Sequence, residues 1–378
     1  MTLQVTVVRD PDELDTCREA WDALVDASPD SELFYTRQWL EPWIAAFWSP
    51  RPLAFLLAWD GDRLSGMAPF LEDAESEVLT APPLCSGALA LPLNGHARRS
   101  GVLVAGAVED VVDAMLQHLR DTRRRPRLRL GTGLAGAAGR RAWAARAPRL
   151  GLRACERPAD PSPAIAIEGS WQAYLASRAS HVQHELGRKL RRLQQQPDLR
   201  WRLVTTPGEV EAAWRDVLAI EDHSWKSESG ESLHDASPQR FYVALARSAA
   251  EQHWLRLHLL DVAGQPIAYL FAVAFRDTLY ALKTSYDQRH AALSPGMMVV
   301  VHALRAAFEE QLDRCDLLGF PARWKQELAN SAAEHIQLCV HGRRDPRCLL
   351  CTVAEKRLRP LVGRQIQRAA ALLRRGRP

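Results

Sequence analysis

The sequence has no long hydrophobic run. Its longest apolar stretches, such as Pro52 to Trp59 and Met297 to Val301, fall far short of the roughly 20 residues a membrane-spanning helix needs. The start, Met1-Thr2-Leu3-Gln4-Val5, lacks the basic opening and apolar stretch of a signal peptide, so the expected location is cytoplasmic. A strong charge imbalance is missing too. Lys plus Arg is 49 and Asp plus Glu is 45, a net charge of +4 that does not imply nucleic acid by itself. The cysteines lack any even, clustered pattern. There are seven (Cys17, Cys85, Cys155, Cys315, Cys339, Cys348 and Cys351), an odd and scattered set that argues against a disulfide framework. Cys348-x-x-Cys351, with Cys339 and His341 upstream, has no second C-x-x-C at zinc-ribbon spacing, and no metal is expected.

What is present is ordinary for a globular chain. The 378 residues are 47% hydrophobic and 25% charged, which excludes disordered, collagen-like and coiled-coil classes. At roughly 150 residues per domain the length suggests two domains. Positive charge is concentrated in two places, Arg178 to Arg192 and His341 to Pro378, the latter with a local net of about +9. Either a solvated helix surface or a phosphate-rich or acidic partner accounts for such faces.

The chain repeats a pattern. Val5 to Val8 reads as a strand, followed by a helical stretch with Trp21 and then by strands Pro52–Trp59 and Arg63–Leu71 around an Asp-Gly-Asp turn. The order returns with Arg202 to Thr205, a helical stretch with Trp214, and strands Trp254–Asp261 and Ile267–Phe275 around Ala263-Gly264-Gln265-Pro266. Thr278 to Tyr286 adds a third strand, giving an antiparallel meander. Asp287 to Leu293 reads as a loop. Ser294-Pro295-Gly296 then opens a helix with Ser as N-cap and Pro at its first position, running to about Arg314. Residues 170–195 read as one or two helices with Val182, Leu186, Leu190 and Leu193 on the apolar side. The three prolines of Arg157 to Pro163 suggest a linker. The expected division is therefore 1–160, 161–345 and a basic helical tail, 346–378.

The strand–loop–helix from Tyr280 to Leu304 is the best local signal for chemistry. A helix start presents unpaired amides and partial positive charge, and so accepts a pyrophosphate. Gly296, lacking a Cβ, would let that anion approach. The alternative is that Ser-Pro-Gly is only an efficient helix start. Gly131-x-Gly133-x-x-Gly136 matches a dinucleotide fingerprint on paper, but the strand before it is laced with arginine, so a flexible loop between strand and helix is the preferred reading. His181-x-x-His184-Glu185 is not in zinc-protease order, and both histidines are expected to face solvent.

Several short segments fall in a recognisable order: Glu221-x-x-Ser224-Trp225-Lys226, Leu282 to Asp287, Ser294-Pro295-Gly296, Asp316-x-x-Gly319 and Trp324-Lys325, with Phe34 to Leu40 and Trp43 in the first half. Together they resemble the BioF2-like, CelD/BcsL-type group of GNAT-superfamily acyltransferases, over about residues 5 to 345. The resemblance implies an α/β fold of two tandem GNAT-like domains, each a mixed, largely antiparallel sheet flanked by helices, as in the FemABX peptidyltransferases. It implies acyl transfer from a thioester, usually acyl-CoA, to an amine of a small-molecule, glycan-precursor or cell-envelope acceptor. It places the cofactor at Lys283, Thr284, Ser294, Pro295, Gly296 and Met297. Because the first domain shows no helix start comparable to Ser294-Pro295-Gly296, the working site is expected in the second domain and the first domain is expected to lack a cofactor.

The usual Arg/Gln-x-x-Gly-x-Gly/Ala cradle is reduced here to Gly296, which leaves an acyl-carrier protein or an aminoacyl-tRNA as other donors. Asp287 and Glu221 are the candidate bases. Trp225, Lys226, Tyr286, Trp324 and Lys325 are candidates for acceptor binding. The competing readings are a FemX-like, aminoacyl-tRNA-dependent transferase and a non-catalytic scaffold. The basic tail is read as packing on the body, with contact to a membrane surface as its alternative.

Overall fold

The computed structural model describes residues 3–49, 51–72, 89–123, 126–224, 233–319 and 322–343. The first half runs β1 (Gln4–Val8), α1 (Arg18–Ala27), α2 (Arg37–Phe47), β2 (Leu53–Asp60), β3 (Arg63–Leu71), β4 (Leu89–Ala90), β5 (Leu103–Val104), α3 (Val108–Thr122), β6 (Arg127–Leu134), α4 (Ala138–Arg146) and β7 (Leu152–Ala166). The second half runs α5 (Trp171–Ala176), α6 (Ser180–Gln194), β8 (Arg200–Val204), α7 (Pro207–Glu221), α8 (Ala236–Glu251), β9 (Leu255–Val262), β10 (Gln265–Phe275), β11 (Thr278–Tyr286), α9 (Pro295–Glu309), β12 (Arg314–Asp316), α10 (Arg323–Leu328) and β13 (Ser331–Gly342).

The repeat read from the sequence is present in space. β1, β2 and β3 pair antiparallel in one half, and β8, β9, β10 and β11 do so in the other. α7 begins where local chemistry favours it: Thr206 and Glu209 form a capping box, and Pro207 sits in the first turn. The helix after Ser294 stops at Glu309, earlier than expected, because Gln311 turns to a left-handed φ of 56°. Leu190, expected on the apolar side of α6, is 38% exposed.

Among the described residues the strands join in one mixed sheet, in the order β1-β2-β3-β4-β6-β13-β7-β12-β11-β10-β9-β8, with β5 on β3. One face is covered by α1, α2, α7 and α8, whose side chains form a single core across both halves. Trp39 of α2 meets Phe241 of α8 edge-on, with ring centroids 5.1 Å apart. The other face carries two separate cores. One lies under α3 and α4, and the other lies under α9, with Leu270, Ala272 and Leu304 in it.

The proline-rich segment 157–163 is not a linker. It lies inside β7, the strand shared by both halves, so residue 160 falls mid-strand. Among the described residues most of β7 has a neighbour on one side only, β13, and β12 joins its far side at Ala164–Ala166. A strand edge without a ladder to complete tolerates proline, which has no N–H to give. The glycines of 131–136 are likewise not a nucleotide loop. Gly131 and Gly133 lie within β6, where a Cβ on Gly133 would stand 2.3 Å from the Arg140 guanidinium. Arg140 uses that approach to donate to the carbonyls of Gly131, Ser100 and Leu130.

β13 crosses back from the second half and inserts between β6 and β7, bringing Leu338 and Val340 into the core under α3 and α4. The first half therefore lacks a central strand without it. A chain ending at Asn330 should lose the cooperative unfolding of the first half, since two strands would be left with bare edges and an open core. Hydrogen exchange of the β2 and β3 amides is the measurement. Native-like protection there in the shortened chain would refute the expectation.

A buried charged group links the halves. Arg99 donates to Glu32 at 2.6 Å and to Asp316 at 2.8 Å, and it lies over the rings of Phe34 and Tyr280. Its Nη1 also lies 3.2 Å from Nε2 of His335, whose Nδ1 is 3.1 Å from the Asp160 carbonyl. A guanidinium only donates, so Nε2 is bare and Nδ1 carries the proton. Burial pulls His335 below its usual pKa, Arg99 adds to that, and the ring stays neutral. The Asp160 carbonyl contact works the other way.

Candidate active site

The polar positions singled out in the second half separate onto the two faces of the sheet. On β10, Tyr269 and Phe271 point to the α7–α8 face, while Ala268 and Leu270 point to the α9 face. Cross-strand register puts Ser285 opposite Tyr269 and Lys283 opposite Phe271. A bulge between Phe271 and Ala272 shifts that register, so β11 carries its polar residues on the α7–α8 face past this point.

Glu221 closes α7 and is fully buried on that same face. Tyr269 donates its hydroxyl to Oε1 of Glu221 at 2.5 Å. Burial, and next to it the neighbouring carboxylate, hold the Tyr269 proton far above its usual range. Oε2 of Glu221 and Oγ of Ser285 are buried and have no hydrogen-bond partner. A desolvated polar atom without a partner costs about 1–3 kcal/mol, so two on one face mark a place where another polar group is expected to dock. Lys283 is buried beside them, its ammonium 5.9 Å from the centre of the Tyr242 ring.

Asp287 is placed differently. It is buried, and its carboxylate receives the backbone N–H of Arg289 at 2.9 Å and the guanidinium at 2.6–3.0 Å. Burial pushes this group upward, but the Arg289 contacts outweigh it and hold the carboxylate below its ordinary pKa. A carboxylate so engaged is a weak base. Asp287 instead shapes the turn into α9, and the neighbouring Gln288 amide donates to the His223 carbonyl at 3.0 Å.

The start of α9 also differs from the sequence reading. Ser294 has a left-handed backbone, φ 53°, and its side chain makes no capping bond. The amides of Met297 and Met298 both donate to the Ser294 carbonyl at 3.1 Å. Pro295 has no N–H to offer. The space over Gly296 is filled: a Cβ there would lie 2.8 Å from the Tyr286 ring. Gly296 thus admits the Tyr286 ring. Thr284 gives its hydroxyl to the Tyr269 carbonyl at 2.8 Å. Met297 sits against α6, where Lys189 reaches its sulfur at 3.2 Å.

Among the described residues β11 and β12 pair in parallel only from Thr278 to Tyr280, and β11 then runs on to Tyr286 paired with β10 on its other side. Past β12 the chain turns at Leu318 and Gly319, both with positive φ. Lys325 closes that turn by donating to the carbonyls of Leu317 and Leu318 at 2.9 and 2.7 Å. Trp324 packs with Val182, Leu186 and Met297 between α6 and α9. Trp324 and Lys325 therefore build the strand end, away from Glu221. Trp225 and Lys226 lie outside the described residues, as do Cys348, Cys351 and the basic tail.

Sequence reasoning named Glu221 and Lys283 as candidates and did not name Tyr269, Tyr242 and Ser285, which lie near them. The available signal was Tyr269 itself, a hydroxyl inside the otherwise apolar run 267–275. Among the described residues no group of three or more His, Cys, Asp or Glu is placed to hold a metal ion, and no helix is long and apolar enough to cross a membrane.

Residues 180–326 match the family described as acetyltransferase (GNAT) domain. No curated protein sequence matches the chain. Among solved structures, FemX is similar in fold, with a TM-score of 0.58 and 10% identity over 85% of this chain and 95% of that one. L-PGS from Bacillus licheniformis is similar too, with a TM-score of 0.54 and 8% identity over 95% of this chain and 99% of that one. The chain thus has an α/β fold similar to those of FemX and L-PGS, and residues 180–326 match the acetyltransferase (GNAT) domain family.

Proposed function

We propose that the chain moves an acyl group from a thioester donor, acyl-CoA, to an amine, in the manner of the BioF2-like transferases. The observation that carries this reading is the buried Glu221 carboxylate, with one oxygen fixed by Tyr269 and the other unpartnered, beside the strand that leaves its neighbour at Tyr280. In this reaction the amine nitrogen attacks the thioester carbon and the C–S bond breaks. The leaving thiolate takes up a proton, and the amine's proton passes to Oε2 of Glu221. The Lys283 ammonium stabilises the negative charge that develops on the carbonyl oxygen. The first half, with its own helices on the same face, shapes the pocket for a small-molecule or glycan-precursor amine.

The donor's phosphates lie along α6 in this reading. Arg188, Arg191 and Arg192 are exposed on one side of that helix, and Lys189 ties it to the first turn of α9. A second reading, an aminoacyl-tRNA donor, is favoured by the length of that side. With His181 and His184 it covers about 16 Å at 1.5 Å per residue, more than one pyrophosphate occupies.

Thermal unfolding with CoA, acetyl-CoA and longer acyl-CoAs tests the first reading. A ligand at about 100 times its Kd should add roughly 2.7 kcal/mol of stability. Reversing Arg188 and Arg191 to Glu should remove that gain. No gain with any acyl-CoA, together with RNA binding that weakens steeply with salt, would favour the second reading. Neither response would defeat both.

A further inference from the structure

The corner where β8, β9 and α9 meet holds a polar group that the transfer reaction does not use. His258 lies on β9 with only 2% of its surface exposed, and its Nδ1 is buried with no hydrogen-bond partner. By alternation along β9 it shares the α9 face of the sheet with Leu260. The register puts Leu203 of β8 on one side of it and Leu270 of β10 on the other. From α9 the His302 ring meets the His258 ring edge-on, with centroids 5.9 Å apart and planes at 77°. His302 in turn lies flat on Trp201 of β8, at 4.1 Å and 6°. Three rings thus join the edge strand, its neighbour and a helix in one stack.

The charged groups around this pair are engaged with one another. Arg256, two residues before His258 on the same face of β9, pairs with Glu310 at 2.9 Å. On α9, Arg305 pairs with Glu309 at 2.8 Å. Arg202 of β8 and Asp261 of β9 pair with each other on the opposite face, towards Asp216 of α7. The residues that β8 and β10 set opposite His258 are leucines, so neither strand brings it a carboxylate. Burial first, then His302 and Arg256, pull the His258 imidazole down to about 3. Burial and then Arg305 lower His302 as well, against the attraction of Glu309. A proton added to His258 in place would make a buried cation without an acceptor, which is a costly state.

β8 is where the corner can yield. It has five residues, ends the sheet, and among the described residues pairs only with β9. Leu203, its residue opposite His258, is 43% exposed. We propose that His258 and His302 form an acid-sensitive latch: when neutral the two rings hold β8 against β9 and α9, and when protonated they release β8 while β10 and β11 stay paired. α6 leads into β8 through residues 195–199, so the latch sits at the end of the basic helix. A histidine held low on folding contributes its full stability above about pH 6.5 and loses it as pH falls towards the folded pKa. From His258 alone, the opened form should gain about 30-fold on the closed form between pH 8 and pH 5.

The experiment is hydrogen exchange of the full chain, read as protection factors corrected for the intrinsic effect of pH. Protection of the β8 amides should fall about 30-fold from pH 8 to pH 5, while the amides that pair β10 with β11 keep theirs. His258→Leu, which suits the apolar face, should abolish most of that fall. An equal fall across β10 and β11 would be global unfolding and overturns the proposal. So does unchanged protection of β8, or a His258→Leu chain with the wild-type pH dependence. A second measurement needs no variant. In the wild-type chain the NMR signal of the His258 ring should not titrate between pH 8 and pH 5, and an ordinary titration near pH 6.5 overturns the proposal. None of these readouts requires transferase activity, so the outcome is independent of the function proposed above.

Discussion

Glu221→Gln is expected to lower kcat for amine acylation by about 10²–10⁴-fold, the usual contribution of a positioned general base. The substitution keeps the shape of the side chain and leaves an oxygen to accept the Tyr269 hydroxyl, so the packing around α7 and β10 is preserved. It removes the charge and the basic oxygen that has no partner in the protein. The KM for the donor should therefore change little, while the acidic limb of the kcat/KM profile should disappear. Asp287→Asn is the informative contrast. That carboxylate is engaged by Arg289, so its loss should loosen the turn before α9 and lower stability without removing the acidic limb. A Glu221→Gln chain that keeps kcat within about three-fold of wild type would exclude Glu221 as the base.

Arg99→Met should be the most destabilising single change in the molecule, at about 3–5 kcal/mol. The guanidinium is buried, with its side chain only 4% exposed, and it faces the carboxylates of Glu32 and Asp316, 7% and 2% exposed. Removing it leaves two buried carboxylates without the guanidinium that pairs with both. The halves of the molecule meet here, so denaturant unfolding should show an earlier midpoint and, in the variant, loss of a single transition.

The pH dependence separates this cause from simple loss of packing. Burial already raises the Glu32 pKa in the native protein, against the attraction of Arg99. A carboxyl raised on folding favours the folded state at low pH and opposes it as pH rises. Without Arg99 that effect grows, so the deficit of the variant should shrink on acidification. His335 works in the opposite sense. It is held below its usual value, so its contribution is complete above about pH 6.5 and falls as pH drops towards the folded pKa. A deficit that stays constant from pH 8 to pH 5 would mean that Arg99 acts by packing alone.

The residues that were legible in advance share a simple property: their role follows from near neighbours in the chain. Alternation marked β9, β10 and β11, and the Asp-Gly-Asp turn marked the β2–β3 hairpin. The order of short segments around 221–325 pointed to the acetyltransferase region that the family match covers. The readings that changed were those in which a local pattern had a distant partner. Ser294-Pro295-Gly296 looked like an open anion site, but the Tyr286 ring occupies the space above Gly296. Three prolines looked like a linker because nothing near them in sequence shows that β13 lies alongside. Asp287 looked like a base until Arg289, two residues on, was seen to engage both of its oxygens.

Sequence alone determined the repeated α/β unit, its strands and helix starts, and the presence of Glu221 and Lys283, because periodicity and capping are properties of neighbouring residues. Tertiary structure alone decided that β13 completes the first half, and that Arg99 gathers Glu32, Asp316 and His335. It also decided that Glu221, Tyr269 and Ser285 share one face while His258 meets His302. Those groupings arise from strand register and burial between segments as much as 236 positions apart, as for Arg99 and His335, and no local pattern encodes such distances.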